Sequence, residues 1–285
     1  MRKLTHALIL AGVVGLPGMM VVHSADAADA AEAASPHTFT GNVSLVSDYR
    51  FRGISQTYKQ PAVQGGFDYS HASGLYLGTW ASNVSGNQYA NGAGMEWDFY
   101  GGYKWEAAKD LNLDVGLLYY YYPGAHYNNA QQTKYNNTEL YFGGSYKWFS
   151  AKYSYTLSDF FGTNKDTYGG ACQDARTGDA TDCFSADPGN SKGSGYLDLN
   201  ANFEVADKTT LGLHVGHQSV HGYSKLNYND YKISLSKDYG WATLGAAVVG
   251  TDATKGWYTA SEAGNAANYK KVGEPTLVLS IGKTF

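Results

Sequence analysis

The sequence predicts an all-β fold: a transmembrane antiparallel β-barrel of about twelve strands, with short turns at one end and long loops at the other. Three observations carry this. From Phe39 onward, apolar and polar residues alternate with a period of two. The alternating runs reach about 10 residues, enough for a tilted membrane-crossing strand, where an ordinary globular strand has about 5–6. The connections between runs alternate between short and long. Composition narrows the field further. The 285 residues are 43% hydrophobic and only 16% charged, with 35 Gly, 25 Tyr, 11 Phe and 6 Trp. A disordered chain would be charged and poor in aromatics, and so much Gly, Tyr, Asn and Thr disfavours helices. A net charge of -4 gives no footprint for nucleic acid. Mean hydropathy is -0.37, and beyond the N-terminus no apolar run approaches the roughly 18 residues of a membrane-crossing helix.

The first 27 residues read as a secretory signal peptide. Arg2 and Lys3 form a basic start, Ala7 to Val22 carry no charge, and Ala25-Asp26-Ala27 supplies a cleavage pattern. Residues 28–37 read as a disordered lead-in and 38–285 as the barrel domain. An exported chain meets an oxidising compartment, so Cys172 and Cys183, in a stretch rich in Gly, Asp, Ser and Thr, are expected to form a disulfide. Closing a loop of that size contributes roughly 2–3 kcal/mol in the chain-entropy model.

The predicted strands run near 38–51, 61–70, 75–82, 94–105, 111–122, 137–148, 151–161, 195–205, 209–219, 229–238, 241–250 and 274–285. In the first, Phe39, Gly41, Val43, Leu45, Ser47, Tyr49 and Phe51 oppose Thr40, Asn42, Ser44, Asp48 and Arg50. In the fourth, Met95, Trp97, Phe99, Tyr103 and Trp105 oppose Glu96, Asp98, Tyr100 and Lys104. The sixth, eighth, ninth and twelfth alternate as strictly, whereas 111–122 and 241–250 are apolar on both faces. Short turns fall at 70–74, 106–110, 148–150, 206–208 and 238–240, and long loops near 52–60, 83–93, 123–136, 162–194, 220–228 and 251–273. This is the rhythm of an outer-membrane barrel with tight periplasmic turns and longer extracellular loops. Phe39, Trp105, Trp148, Phe149, Tyr239, Trp241 and Phe285 mark the periplasmic membrane border, and Tyr49, Phe51, Tyr121, Tyr122, Phe160 and Phe161 the outer one. Phe285, ending an alternating strand, is the expected handle for the barrel assembly machinery, and outer-membrane lipid the expected surround.

The segments 47–57 (SDYRFRGISQT), 74–84 (GLYLGTWASNV) and 96–103 (EWDFYGGY) resemble the TorF family of proteobacterial outer-membrane proteins. The similarity runs from about Phe39 to Phe285 and implies an outer-membrane barrel of channel function, with no particular substrate.

The polar parity carries Asp48, Arg50, Arg52, Asp68, Glu96, Asp98, Lys104, Asp114, Glu139, Lys147, Lys152, Asp198, Glu204 and Lys232. By the strand rule these face inward and line a pore for small hydrophilic solutes. Mixed signs equally suit a salt-bridged interior that closes a narrow barrel. Arg50, Arg52 and Asp48 are expected to form a constriction at the outer mouth of the first strand. No motif calls for a cofactor or metal; His214 and His217, three apart, point to opposite faces of a strand. One enzymatic alternative is concrete. His217 and Ser219 share an outward face, and Asn229 sits on the next strand, an arrangement that resembles the triad of outer-membrane phospholipase A. There Ser219 would be the nucleophile, His217 the base and Asn229 its orienter. A third reading is a closed barrel whose loops, above all 162–194 and 251–273, bind a ligand or surface outside the cell.

Overall fold

Twelve antiparallel strands close on themselves: β1 (His37–Val46), β2 (Ala62–His71), β3 (Leu75–Asn83), β4 (Met95–Ala108), β5 (Leu111–Tyr121), β6 (Asn137–Tyr146), β7 (Phe149–Thr156), β8 (Gly195–Ala206), β9 (Thr209–Ser219), β10 (Tyr228–Asp238), β11 (Thr243–Thr251) and β12 (Thr276–Thr284). The computed structural model describes residues 35–285 other than 90, 92–93, 175–178 and 263–264; the predicted signal peptide and most of the lead-in lie outside the described residues. Each strand pairs with its sequence neighbour, and β12 returns to β1 in the register Asn42↔Thr284. The chain end completes the seam: the Gly41 and Phe285 backbones exchange hydrogen bonds of 2.8 and 2.9 Å. A closed sheet leaves no unpaired edge, which is what lets strands cross lipid.

Period-two patterning maps directly onto the wall. On β5, Asp114, Gly116, Leu118 and Tyr120 are buried in the lumen while Val115, Leu117 and Tyr119 are exposed outward. The same outward exposure holds for Val63 and Phe67, Leu140 and Phe142, Leu197 and Leu199, Ile233 and Leu235, and Leu277 and Leu279. A continuous apolar exterior of this extent requires a hydrocarbon surround. The two ambiguous runs are resolved by pairing: β5 lies between β4 and β6, and β11 between β10 and β12. Turns of a few residues join strands at one end, and the six long connections gather at the other, here the outer end.

The structure corrects two expectations. The first strand stops at Val46 rather than at residue 51, because after Ser47, which still bonds to Leu279, the stretch Asp48–Tyr58 leaves the wall and folds into the lumen. The outer aromatic border changes with it. Tyr49, Phe51 and Tyr122 are buried inside the barrel, and Phe161 packs its ring 5.6 Å from Phe51. The seventh strand ends at Thr156, so Phe160 and Phe161 fall in a short 3-10 turn, Phe160–Gly162. Aromatic rings exposed toward lipid near the outer end belong instead to Trp97, Tyr119, Tyr153, Tyr155 and Tyr231. The periplasmic border is as expected at Phe39, Trp148, Phe149, Tyr239, Trp241 and Phe285, all exposed. In the longest loop, Cys172 and Cys183 are disulfide-bonded across a small hairpin, Cys172–Asp174 with Asp179–Cys183.

Candidate functional site: a hairpin folded into the lumen

The inward segment is a miniature hairpin, Arg50–Phe51 paired with Ile54–Ser55. Its two central residues, Arg52 and Gly53, have φ of 48° and 79°, the positive values that a two-residue I′ turn demands. Glycine meets that demand freely; arginine does so at a cost of about 1–2 kcal/mol. Asp48 organises the base. Its carboxylate accepts hydrogen bonds from Arg50 Nε at 2.6 Å, Ser55 Oγ at 2.6 Å and Thr57 Oγ1 at 3.3 Å. Every residue from Asp48 to Tyr58 is buried.

Two arginines tie the hairpin to opposite parts of the wall. Arg50 Nη1 donates to the carbonyls of Val272 (2.9 Å) and Glu274 (3.1 Å), and Nη2 to Thr276 Oγ1 (2.6 Å), where the chain enters β12. Arg52 reaches across the lumen. Its Nη2 donates to both carboxylate oxygens of Glu139 on β6, at 2.8 and 2.7 Å, and its Nη1 to Gln218 Oε1 on β9 at 2.7 Å. The guanidinium carbon also lies 4.2 Å from the Tyr196 ring centroid on β8. Gly53 fits against β10 and β11 so tightly that a Cβ there would meet Thr251 Cγ2, and Asp230 Cβ at 2.8 Å. The hairpin thus spans the barrel at its outer end. Arg50 and Arg52 do not share a strand face, as the uninterrupted first strand would have required; they belong to the spanning segment and point apart.

The remaining predicted lining residues fall into groups. Glu96, Asp98 and Glu139 are buried on the lumen side beneath the hairpin, where the Tyr49 hydroxyl donates to Glu96 Oε1 at 3.0 Å and the Tyr120 hydroxyl to Glu139 Oε2 at 3.3 Å. Nearer the periplasmic end, Asp68 accepts from the Tyr100 hydroxyl at 2.6 Å, and Asp114 from that of Tyr76 at 2.7 Å. Lys104 Nζ lies 4.6 Å from the Tyr76 ring and Lys152 Nζ 5.7 Å from the Tyr141 ring. Asp198 joins a cluster that sequence reading missed: His214 Nδ1 is 3.0 Å from Asp198 Oδ1, its Nε2 is 2.7 Å from Asp230 Oδ1, and the Tyr196 hydroxyl donates to Asp230 Oδ2 at 2.9 Å. Lys232 pairs in register with His214 on the same wall. Lys147 and Glu204 are exposed at the periplasmic end. Lys147 occupies the β6–β7 turn with φ 53°, outside the wall, and Glu204 accepts from the Lys208 amide at 3.2 Å.

On the outer surface, His217 Nδ1 lies 2.8 Å from Asn229 Oδ1, and Asn229 Nδ2 donates to Asp252 Oδ2 at 2.7 Å. His217 and Asn229 are cross-strand partners. Ser219 is exposed on the same strand, and among the described residues no hydrogen bond joins it to His217. Of the proposed triad, the structure brings two members together. Among the described residues no group of three or more His, Cys, Asp or Glu side chains has a metal-holding arrangement.

A closed, twelve-stranded barrel with an apolar exterior and a charged interior defines an outer-membrane β-barrel protein. The chain belongs to the family described as bacterial protein of unknown function (Gcw_chp), whose model matches residues 30–285. No curated protein matches the sequence. Among solved structures, the chain is similar to the KdgM porin, with a TM-score of 0.46 and 8% identity over 86% of this chain and 98% of that one. It is similar also to the NanC porin, with a TM-score of 0.46 and 9% identity over 87% of this chain and 98% of that one. An outer-membrane channel from Pseudomonas putida gives a TM-score of 0.42 and 11% identity over 92% of this chain and 99% of that one.

Proposed function

We propose that this protein is a porin-like channel for passive diffusion of small hydrophilic solutes, with the inward hairpin as its constriction. One observation carries the reading. The segment that fills the outer end of the lumen is not part of the wall; side-chain hydrogen bonds and two backbone ones, Ser55 to Val272 and Ser85 to Gln56, hold it there in place of a strand ladder. Below it the lumen carries acids, lysines, hydroxyls and amides, which suit a hydrated path. The resemblance of 47–57, 74–84 and 96–103 to the TorF family points the same way, and Phe285 is the handle by which the assembly machinery would engage the chain.

Conductance across planar bilayers tests this. Wild-type protein is expected to give rare or small openings, and protein lacking residues 49–56 frequent and larger ones. A folded barrel without the hairpin that passes no ions would refute the channel reading and leave the closed barrel with ligand-binding loops. The His217–Asn229 pair supports a second reading, lipid hydrolysis with Ser219 as nucleophile. Lipid turnover that persists unchanged in Ser219→Ala dismisses it.

A further inference from the structure

The carboxylate of Asp98 presents an unsolved electrostatic problem. It is fully buried in the lumen wall, and neither of its oxygens has a hydrogen-bond partner. Glu96 sits two residues earlier on β4, so both acids project from one face; it too is buried and has one oxygen without a partner. The cations near the hairpin are committed elsewhere: Arg52 to Glu139 and Gln218, and Arg50 to Asp48 and the approach to β12. A buried charge without partner or hydrogen bond costs several kcal/mol, so such a group either holds a proton or is given a counter-charge.

The surroundings say what kind. Asp98 is flanked in register by Trp80 on β3 and Tyr120 on β5, with Tyr100 two residues on along its own strand. Tyr49, just before the hairpin, packs over this group, its ring 5.4 Å from that of Trp80. Two carboxylates set among aromatic rings recognise a compact positive charge, since the carboxylates neutralise it and aromatic faces attract it.

We propose that Asp98, with Glu96 beside it, binds one monovalent cation, an alkali ion or a protonated amine, among the aromatic side chains packed under the hairpin. The site is built from the lumen wall together with Tyr49 and does not depend on the barrel conducting. Its test therefore avoids conductance.

The refolded full-length barrel is melted in detergent at constant ionic strength, with sodium, potassium, methylammonium or bulky N-methylglucamine as the only cation. A ligand of the folded state raises the unfolding midpoint with the logarithm of its concentration. Wild type is expected to melt several degrees higher in a small cation than in N-methylglucamine. The rank of sodium and potassium against methylammonium tells an inorganic from an amine ligand. Asp98→Asn should melt higher than wild type in N-methylglucamine and lose the dependence on cation identity. Glu204→Gln, an exposed acid at the far end, should keep it. Equal wild-type midpoints in all four salts overturn the proposal without any variant, as does a dependence that survives in Asp98→Asn.

Discussion

Arg52 is the residue on which the outer closure turns. It adopts a backbone conformation that glycine would hold more cheaply, and in that posture its guanidinium reaches Glu139, Gln218 and Tyr196 on three strands. Removing one partner of a buried ion pair costs about 3–5 kcal/mol. Arg52→Ala should therefore raise the population with a displaced hairpin by about two orders of magnitude or more, at about 1.4 kcal/mol per tenfold. The channel record would show this as an increase in open time; a record indistinguishable from wild type would mean the arginine holds nothing shut. Gly53→Ala attacks the same tip by crowding. Its methyl group would meet Thr251 and Asp230, and its φ of 79° is strained for any side chain. The expected outcome is a hairpin accessible to protease at 47–60 in a barrel that still melts as wild type. At this scale the sequence was partly legible. Asp48, Arg50 and Arg52 were singled out as a constriction, but strand parity put them on a wall. Arg52-Gly53, a two-residue turn between short β-prone pairs, was the signal that the chain leaves the wall there. The grouping of His214 with Asp198 and Asp230 was not legible because an alternation count follows each strand singly and does not see partners across strands.

At the scale of elements, most of the barrel was readable because each strand separates two solvents. β4, β6, β8 and β9 alternate strictly, since one face meets hydrocarbon and the other a polar lumen. β5 blurs the pattern for a structural reason: its inward Leu118 and Tyr120 pack into the aromatic cluster under the hairpin, so this strand meets apolar neighbours on both faces. The aromatic rows misled for the same cause, because tyrosine serves both the lipid border and the packing of the plug. Inward tyrosines also depend on missing side chains opposite them. Tyr141 on β6 lies over Gly116 on β5, with its ring carbon 2.6 Å from where a Cβ would stand, the aromatic cover for a strand glycine that curved sheets employ. Gly116→Val should push Tyr141 off the wall and break its contact with the Tyr76 hydroxyl. A lowered unfolding midpoint with an unchanged β-sheet spectrum is the expected result; full wild-type stability would show that the tyrosine has other room.

The whole molecule sets a firm, lipid-facing wall against a loop crown built on a different plan. At the crown, Phe184, Val220, Tyr223 and Leu226 form a core of their own, with the Trp257 ring tilted against Phe184 at 4.5 Å between centroids. The Cys172–Cys183 bridge lies in this crown, and neither cysteine belongs to a barrel strand. Reduction should thus leave the barrel's unfolding midpoint unchanged while speeding proteolysis within 162–194; a large drop in the midpoint would show that crown and wall unfold together. The loops were legible as lengths and compositions only, because their folding depends on contacts among six separate segments. One consequence concerns the order of events during biogenesis. The barrel seals when β12 finds β1, and Arg50 of the hairpin grips Val272, Glu274 and Thr276, the stretch that delivers β12 to that seam. The stopper and the last stave of the cask therefore share a fastening. A nascent barrel whose final strand has not arrived has no complete berth for the hairpin, so closing the ring and corking its mouth become a single late event.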